Sequence, residues 1–236
     1  MKGIVLVPSL NRINLLKNFL TSFWDTASPS VSLAVLVDSC DYEVNKADYE
    51  KLSTHLVITG DAVSMGDKVR YYWSEVKRLN YDWVGLLNDD HYCITKHWDK
   101  IINEMIDGTN VVSTNDGFWN FGFRVVGLTA WSMPLLDACQ FPIFPKGIDH
   151  WFIDDIWKAI GDQTGCLRET MRVNIEHRHA FIGKSQVDET FKISQDPVKA
   201  QEAFKVYEKF MAEEFPAVCQ RIIKLRKEQI LRSKFN

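Results

Sequence analysis

The chain has 236 residues, of which 46% are hydrophobic and 25% are charged, and its formal net charge is −3. These values are ordinary for a globular protein, and the small negative charge gives no general attraction to nucleic acid or to an anionic membrane. No apolar run approaches the roughly 20 residues that cross a bilayer, so the sequence predicts no membrane span.

The cysteines and the first residues indicate a cytoplasmic protein. Five cysteines are widely spaced, and none of them forms a Cys-x-x-Cys pair. This pattern favours reduced thiols over a disulfide framework or a zinc site. The apolar stretch within residues 1–8 is too short for a signal peptide and predicts a first strand instead.

The first part of the chain alternates apolar strands with helical segments, which is typical of parallel βαβ units. The predicted strands cover residues 3–7, 31–37, 55–58 and 83–87. The predicted helical segments cover residues 15–23, 48–52 and 68–79. In sheets of this kind, ligands bind outside the carboxyl ends of the strands.

The fourth predicted strand ends abruptly in Asn88, Asp89, Asp90 and His91. Oxygen ligands at the end of a buried strand suit a hard divalent cation, and such a cation can hold a diphosphate. The alternative is a plain acidic turn, because Asn and Asp are common turn residues.

Other polar residues follow the first two strands and are expected to converge on the same edge of the sheet. Pro8 and Ser9 end the first strand, Arg12 lies in the turn after it, and Asp38 follows the second strand. This convergence favours a ligand site over a plain turn at Asp90.

A glycine-containing loop over residues 60–66 opens onto the helix that begins near Lys68. Such a loop can receive phosphate at the amino terminus of the helix, and Lys68 and Arg70 add positive charge. The alternative is a solvated first helical turn. The loop is not a P-loop, and no Gly-x-Gly-x-x-Gly follows the first strand, so nucleotide binding by either of those routes is disfavoured.

The second part of the chain carries further elements, and its end changes to a helical pattern. Strands are predicted over residues 111–113, 125–131 and 173–179, and helices over 97–105, 135–137, 150–160 and from 196 onward. An aromatic loop over residues 115–123 could stack on a sugar or on a flipped base, but such clusters more often belong to the core. The basic stretch 221–234 predicts either a docked amphipathic helix or a contact with a polyanion.

Two polar clusters in this second part are candidates for chemistry. On a helix, His150 and Asp154 would share a face, and Asp154 or Asp155 could take a proton from an attacking hydroxyl. The alternative is that both carboxylates only cap the helix. A later strand places His177 and His179 on one face, where an imidazole can complete a site for Mn²⁺ or a similar ion.

In this order and spacing, the residues resemble GT-A glycosyltransferases, in particular short family-2-like members found in phage and bacterial genomes. The motifs that carry the resemblance are Val7-Pro8-Ser9 with Arg12, Val37-Asp38, Gly66-Asp67-Lys68, residues 84–91, Trp98-Asp99, His150-x-x-x-Asp154-Asp155-x-Trp157, and Glu176-His177-x-His179 with Gly183-Lys184 and Asp188.

The resemblance implies an α/β fold, a GT-A-type, Rossmann-like three-layer sandwich with a mostly parallel central sheet and a C-terminal helical extension. It implies a nucleotide-sugar-binding catalytic domain over residues 1–195, on which the helical extension, residues 196–236, packs. The implied activity is the metal-dependent transfer of a sugar from a nucleotide-diphosphate sugar, with UDP favoured, to a hydroxyl acceptor. The acceptor would be a glycan or a hydroxymethylated DNA base.

The resemblance also assigns roles to single residues. Asp90 would bind Mn²⁺ or Mg²⁺, and His177, or else His179, would be the further metal ligand. Asp154 or Asp155 would serve as the base. The expected nucleotide-sugar-binding residues are Pro8, Ser9, Arg12, Asp38, Gly66, Lys68, Asn88 and Asp89. Asn88 departs from the family's Asp-x-Asp pattern, because an amide stands at its first position.

Two alternatives to a glycosyltransferase remain open on the sequence. A nucleotidyltransferase also places carboxylates at a strand end, but it predicts a Gly-rich first loop that residues 8–11 do not supply. A catalytically silent ligand-binding protein of the same fold is supported by Asn88.

Overall fold

The computed structural model describes residues 1–52, 54–62, 64–117, 127–178, 180 and 183–235. Its strands are β1 (Gly3–Ser9), β2 (Val31–Val37), β3 (His55–Ile58), β4 (Trp83–Leu86), β5 (His91–Cys93), β6 (Val111–Asn115), β7 (Thr129–Ser132) and β8 (Leu167–His177). Its helices are α1 (Ile13–Thr26), α2 (Ser39–Tyr49), α3 (Met65–Arg78), α4 (Trp98–Met105), α5 (Met133–Cys139), α6 (Ile153–Thr164), α7 (Glu189–Ser194), α8 (Pro197–Glu213) and α9 (Phe215–Phe235).

The strands form one mixed sheet in the order β3-β2-β1-β4-β7-β6-β8-β5. The four strands from β3 to β4 are parallel, as are β6 and β8, whereas β7 and β5 run antiparallel to their neighbours. Among the described strands, parallel pairings therefore outnumber antiparallel ones, and the predicted α/β fold with a mostly parallel sheet is confirmed.

The sheet is covered on both faces, which explains why its central strands are continuously apolar. Along β1, Ile4 and Leu6 face one hydrophobic cluster, and Val5 and Val7 face the other. The first cluster includes residues of α3, α5, α6 and α9, and the second includes residues of α1 and α4. The layers of the sandwich follow from this alternation along each strand.

Most predicted strands and helices are found, with one clear error in the first part of the chain. The predicted short turn at residues 48–52 is wrong, because helix α2 begins directly after Asp38 and ends at Tyr49. The helix has no apolar stripe to signal it. It is instead anchored by the buried Asp41, whose carboxylate accepts hydrogen bonds from the Asn11 amide and the Tyr49 hydroxyl at 2.7 and 2.8 Å.

A second correction concerns the segment before α6. Phe152 has φ of 65°, in the left-handed region, so α6 begins only at Ile153. His150 therefore lies outside the helix, and the prediction that it shares a helical face with Asp154 is wrong. The predicted strand over residues 125–131 corresponds to β7, which begins at Thr129. Residues 118–126 lie outside the described residues, and they include most of the aromatic loop and the first two residues of the predicted strand.

Helix α9 docks through part of the basic stretch of the sequence. Arg221 donates to the carbonyls of Ala138 and Cys139, at 2.7 and 2.9 Å, at the end of α5. Arg226 donates to the Thr109 carbonyl at 3.3 Å. These bonds satisfy carbonyls that a helix end or a loop leaves open. Within the described ranges, no helix is long and apolar enough to span a membrane.

Gly3 provides a direct test of the packing between β1 and β4. Gly3 pairs with Trp83 in the parallel register, and a Cβ atom at Gly3 would lie 2.1 Å from the indole ring. We expect Gly3→Ala to reduce the free energy of unfolding by about 1–3 kcal/mol, because the buried ring has to shift. Thermal melting would report a drop of about 2–4 °C per kcal/mol. Ser32→Ala, on the neighbouring strand β2, is the control, and equal melting of the two variants would contradict this packing.

Candidate functional site

Strands β4, β5 and β8 bring the acidic pair and a late histidine together. Asp89 and Asp90 follow β4 and are almost completely buried. The chain then turns into β5, which pairs antiparallel with β8 so that His91 and His177 are direct partners. The Arg178 amide donates to the Asp90 carbonyl at 2.9 Å. This backbone pairing fixes the position of His177 beside Asp90.

The side chains at this point form a compact cluster of oxygen and nitrogen donors. Asp90 Oδ1 lies 3.3 Å from His177 Nε2 and 3.7 Å from His91 Nδ1. The two imidazole rings stack, with centroids 4.5 Å apart. One ligand atom from each of the three residues lies within 4.8 Å of the others. We call Asp90, His91 and His177 the carboxylate–histidine cluster.

This cluster fits a divalent cation. Asp90 Oδ1 is buried and accepts no well-aligned hydrogen bond from the residues that the structure describes, so a strong acceptor is left for a cation. Carboxylate oxygen with imidazole nitrogen is a donor set that suits Mn²⁺ and similar ions. His91 Nδ1 already accepts the Asn88 amide at 3.0 Å, so His177 is the better placed of the two imidazoles.

The charges of the cluster reinforce one another. Burial disfavours the ionised form of Asp90, but His177, His91 and Arg12 outweigh it and hold the pKa of Asp90 below its usual range. Burial lowers the pKa of His177, and the neighbouring carboxylates, led by Asp90, raise it by more. A buried carboxylate that stays ionised keeps its affinity for cations.

Arg12 supplies a fixed positive charge to the same place. Its guanidinium donates two hydrogen bonds to Asp188, both of 2.7 Å, and lies 3.4 Å from Asp89 and 3.7 Å from Asp90. Burial lowers the pKa of Arg12, but the bond to Asp188 and the charges of the three carboxylates raise it above its usual value. Arg12 thus joins the turn after β1 to the start of α7.

Asp89 is held internally. Its Oδ2 accepts the Ser9 hydroxyl at 2.7 Å, which ties the end of β4 to the end of β1. Burial raises the pKa of Asp89, the charge of Asp90 raises it further, and Arg12 opposes both. The predicted role of Asp89 and Ser9 in nucleotide-sugar binding stays a prediction. In the structure they align two strand ends beside Asp90.

Lys68 and Asp38 form a buried ion pair at the carboxyl ends of β1 and β2. Lys68 Nζ donates to the Ser9 carbonyl at 2.8 Å and lies 3.2 Å from Asp38. Burial raises the pKa of Asp38, and Lys68 opposes that rise. In this arrangement the Lys68 charge is neutralised inside the protein. Pro8, which precedes this junction in β1, is buried with the rest of the strand.

Gly66 and Arg70 connect α3 to the loop that precedes α6. The Gly66 amide donates to the Asp149 carbonyl at 2.9 Å, and a Cβ at Gly66 would lie 2.7 Å from the Ile148 carbonyl oxygen. Arg70 donates to the carbonyls of Pro145 and Ile148 at 3.2 and 3.1 Å. Glycine is thus needed for the close approach of this loop, and Arg70 holds the loop in place.

The two carboxylates of the first turn of α6 face different surroundings. Asp154 is exposed, and its charge is one of those that raise the pKa of His177, which places it on the side of the carboxylate–histidine cluster. Asp155 lies toward Tyr207 of α8. Burial of the Tyr207 phenol raises its pKa, and the negative charge of Asp155 raises that pKa further.

The structure adds two residues that were not among the predicted site residues. His91 is brought in by β5, a three-residue strand whose pairing gives no sequence signal. Asp116 is buried after β6, its carbonyl accepts the His177 amide at 3.2 Å, and its charge also acts on His177. His179, a predicted metal ligand, lies outside the described residues.

Comparison of the fold with solved structures gives consistent neighbours. No protein-family model and no curated protein sequence matches the chain. The S. aureus TarS fragment in complex with UDP-GlcNAc has a TM-score of 0.53 and 16% identity, over 81% of this chain and 63% of that one. A mannosyltransferase from Pyrobaculum calidifontis, in complex with GDP-Man and Mn²⁺, has a TM-score of 0.53 and 15% identity, over 94% of this chain and 72% of that one.

A third neighbour is glucosyl-3-phosphoglycerate synthase from Mycobacterium tuberculosis, in complex with Mn²⁺, UDP and glucosyl-3-phosphoglycerate. Its TM-score is 0.51 and its identity 16%, over 77% of this chain and 75% of that one. These neighbours are GT-A glycosyltransferases, and the chain has the GT-A fold. The present chain spans less than two thirds of the TarS fragment: 59% of it in one TarS structure and 63% in the complex with UDP-GlcNAc.

Asp90 is the residue whose loss should affect the cluster most. We expect Asp90→Asn to weaken Mn²⁺ binding at least tenfold, because an amide replaces the ionised oxygen donor of the cluster. Isothermal titration of the wild type and the variant with Mn²⁺ measures this, and circular dichroism checks the fold. Asp48→Asn, at an exposed carboxylate paired with Lys17, is the control. Unchanged Mn²⁺ affinity in Asp90→Asn would mean that the ion binds elsewhere.

The bond between Arg12 and Asp188 should fasten α7 to the body of the protein. The Asp188→Asn side chain can still cap α7 but loses the ion pair with Arg12. We expect a loss of about 1 kcal/mol of local stability and therefore roughly fivefold faster trypsin cleavage at Lys184 and Lys192. Mass spectrometry of timed digests gives the rates. Asp196→Asn removes the charge of another helix cap, at α8, and is the control. Equal cleavage in the two variants would show that the pair does not restrain this segment.

Proposed function

We propose that the protein is a metal-dependent glycosyltransferase that moves a sugar from a nucleotide-diphosphate sugar to a hydroxyl acceptor. The main support for this proposal is the buried Asp90 Oδ1, which lies 3.3 Å from His177 Nε2 and has no aligned hydrogen bond within the described part of the chain. It lies at the carboxyl end of β4 in a GT-A fold, where open α/β sheets bind ligands. When bound there, Mn²⁺ or Mg²⁺ would stabilise the charge of the departing diphosphate.

The neighbours in fold support the donor class. The TarS fragment has been solved with UDP and with UDP-GlcNAc, and the mannosyltransferase with GDP-Man and Mn²⁺. We propose a UDP-sugar as the favoured donor, with the nucleoside near Pro8, Ser9 and Asp38. Because Lys68 and Arg12 are already paired with carboxylates, a diphosphate would recruit Arg12 only if the bonds to Asp188 open.

Asp154 is the better candidate for the base that receives the proton of the acceptor hydroxyl. It is exposed at the start of α6 and lies close enough to His177 for its charge to act on that imidazole. A carboxylate held there can hydrogen-bond an incoming hydroxyl and take its proton as the new bond forms. Asp155, directed toward Tyr207, is less suited to that role.

A glycan or another neutral hydroxyl compound is the acceptor that the structure favours over DNA. A hydroxymethylated base is implied by the resemblance to phage members, and the basic stretch 221–234 is the feature of this chain that leaves it open. Two cations of that stretch, Arg221 and Arg226, are used to dock α9 on main-chain carbonyls. They are therefore less available for a phosphodiester backbone.

A catalytically silent binding protein of the same fold is the second candidate. The observation in its favour is Asn88, whose backbone amide binds His91 and which offers no carboxylate to a cation. A silent protein would bind nucleotide sugars without turning them over, so binding and turnover have to be measured separately.

Calorimetric titration with a panel of UDP- and GDP-sugars, with and without Mn²⁺, tests the donor proposal. We expect binding of at least one donor that is lost when Mn²⁺ is replaced by EDTA, because the diphosphate then faces the buried carboxylates uncompensated. Binding of no nucleotide sugar under either condition would remove the proposed function.

The base is tested on whichever donor binds, by following release of the nucleotide with water as the acceptor. We expect Asp154→Asn to slow release by about 10²–10⁴-fold, the usual contribution of a general base, with donor affinity unchanged. Asp155→Asn is the matched control and should have a much smaller effect. A larger loss in Asp155→Asn would reverse the assignment, and no release in the wild type would favour the silent protein.

A further inference from the structure

An aromatic cluster lies where α8 crosses the turn before α6. The ring of Phe152 stacks on Tyr207, with centroids 5.0 Å apart, and packs against Phe204 at 5.6 Å. Phe204 and Tyr207 are 6.1 Å apart, so the three rings form one contiguous surface. Phe204 is 43% exposed, whereas Phe152 and Tyr207 are half-buried, so Phe204 supplies most of the aromatic surface that faces solvent. We call these three residues the aromatic platform.

The backbone of the platform is strained at Phe152. Phe152 has φ of 65°, a region that aromatic residues seldom adopt. It occupies the N-cap position of α6, but its side chain makes no capping bond. Strain of this kind is found preferentially at ligand-binding and catalytic positions, where it fixes the direction of a side chain. Here it turns an aromatic ring toward α8, two residues before Asp154.

The charges beside the platform restrict what can bind to it. Asp154 and Asp155 lie two and three residues after Phe152, and the charge of Asp155 acts on the Tyr207 phenol. Helix α8 carries three lysines and three glutamates and adds no net charge. Carboxylates accept hydrogen bonds from hydroxyl groups and repel phosphates. The surroundings thus favour a neutral, hydroxyl-rich ligand.

We propose that the aromatic platform holds the acceptor and that the acceptor is a neutral pyranose. The apolar face of a sugar ring would pack on Phe204 and Phe152. Asp155, on the side of Tyr207, would accept hydrogen bonds from its hydroxyls, and the reacting hydroxyl would extend to Asp154. The inference rests on the proposed function and names the substrate class of the same site. A nucleotide base also has a face that stacks on aromatic rings, but its phosphodiester would lie against Asp154 and Asp155.

Saturation-transfer NMR with methyl β-D-glucopyranoside, methyl β-D-galactopyranoside and methyl α-D-mannopyranoside tests the platform without requiring turnover. At least one pyranoside should receive saturation at its ring protons from the wild type. Phe204→Ala should weaken that pyranoside about tenfold or more, because an aromatic contact surface is lost. Phe204→Leu, which keeps an apolar side chain but removes the ring, should weaken it as well. Trp24→Ala is the control, since Trp24 has the same 43% exposure on α1.

Calorimetry with nucleotide sugars and Mn²⁺ on the same variants separates the two proposals. Donor binding should be unchanged in Phe204→Ala, because the platform is distinct from the carboxylate–histidine cluster. If the wild type binds no nucleotide sugar, the proposed function fails and the platform proposal fails with it. If the donor binds but no pyranoside does, or if Phe204→Ala binds the pyranoside normally, only the platform proposal is overturned. Binding of a single-stranded oligonucleotide in place of pyranosides, lost in Phe204→Ala, would also overturn it.

Discussion

The burial of two adjacent carboxylates, Asp89 and Asp90, is the constraint on which the site depends. Two like charges in a water-poor environment are costly unless cations or hydrogen bonds compensate them. The chain provides that compensation from distant positions: Arg12 from the turn after β1, and His177 from the end of β8. The folding of the whole sheet is thus needed before Asp90 can be buried and ionised.

The same constraint explains why several basic residues are not open to solvent. Lys68 is buried against Asp38 and the Ser9 carbonyl, and Arg12 is divided between Asp188 and the acidic pair. These pairs align the ends of three parallel strands and of α7. A diphosphate that arrives with a divalent cation would change this balance, because the cation can take over the compensation of Asp90 that Arg12 supplies in part. In the proposed function, Arg12 would therefore connect ligand binding with the position of α7.

The parts of the fold that the sequence predicts are those with a strong local signal. Strands β2 and β3 match the predicted bounds, because a continuous apolar run has few other solutions in an α/β protein. The sequence does not predict helix α2, because the helix is stabilised by tertiary contacts of Asp41 that no periodicity reveals. It also does not predict that α6 begins only after Phe152, because aromatic residues seldom adopt a positive φ.

The residues of the site also divide into those with a local sequence signal and those that depend on tertiary contacts. The sequence points to Asp90 and His177, because acidic residues after an apolar run and a late histidine are visible as patterns. It does not predict that His91 and Asp116 contribute to the site, because they enter through the pairing of β5 with β8 and through a main-chain bond to His177. It also cannot reveal that the Lys68 charge is neutralised internally, because that depends on the burial of Asp38.

The proposed function requires a divalent cation to bind between Asp90 and His177. Crystals grown with Mn²⁺ and a UDP-sugar, with data collected at the manganese absorption edge, would locate the ion. We expect an anomalous peak within bonding distance of a carboxylate oxygen of Asp90 and of an imidazole nitrogen of His177, with the diphosphate beside it. A manganese peak remote from both residues, or a nucleotide bound away from the carboxyl end of β4, would contradict it.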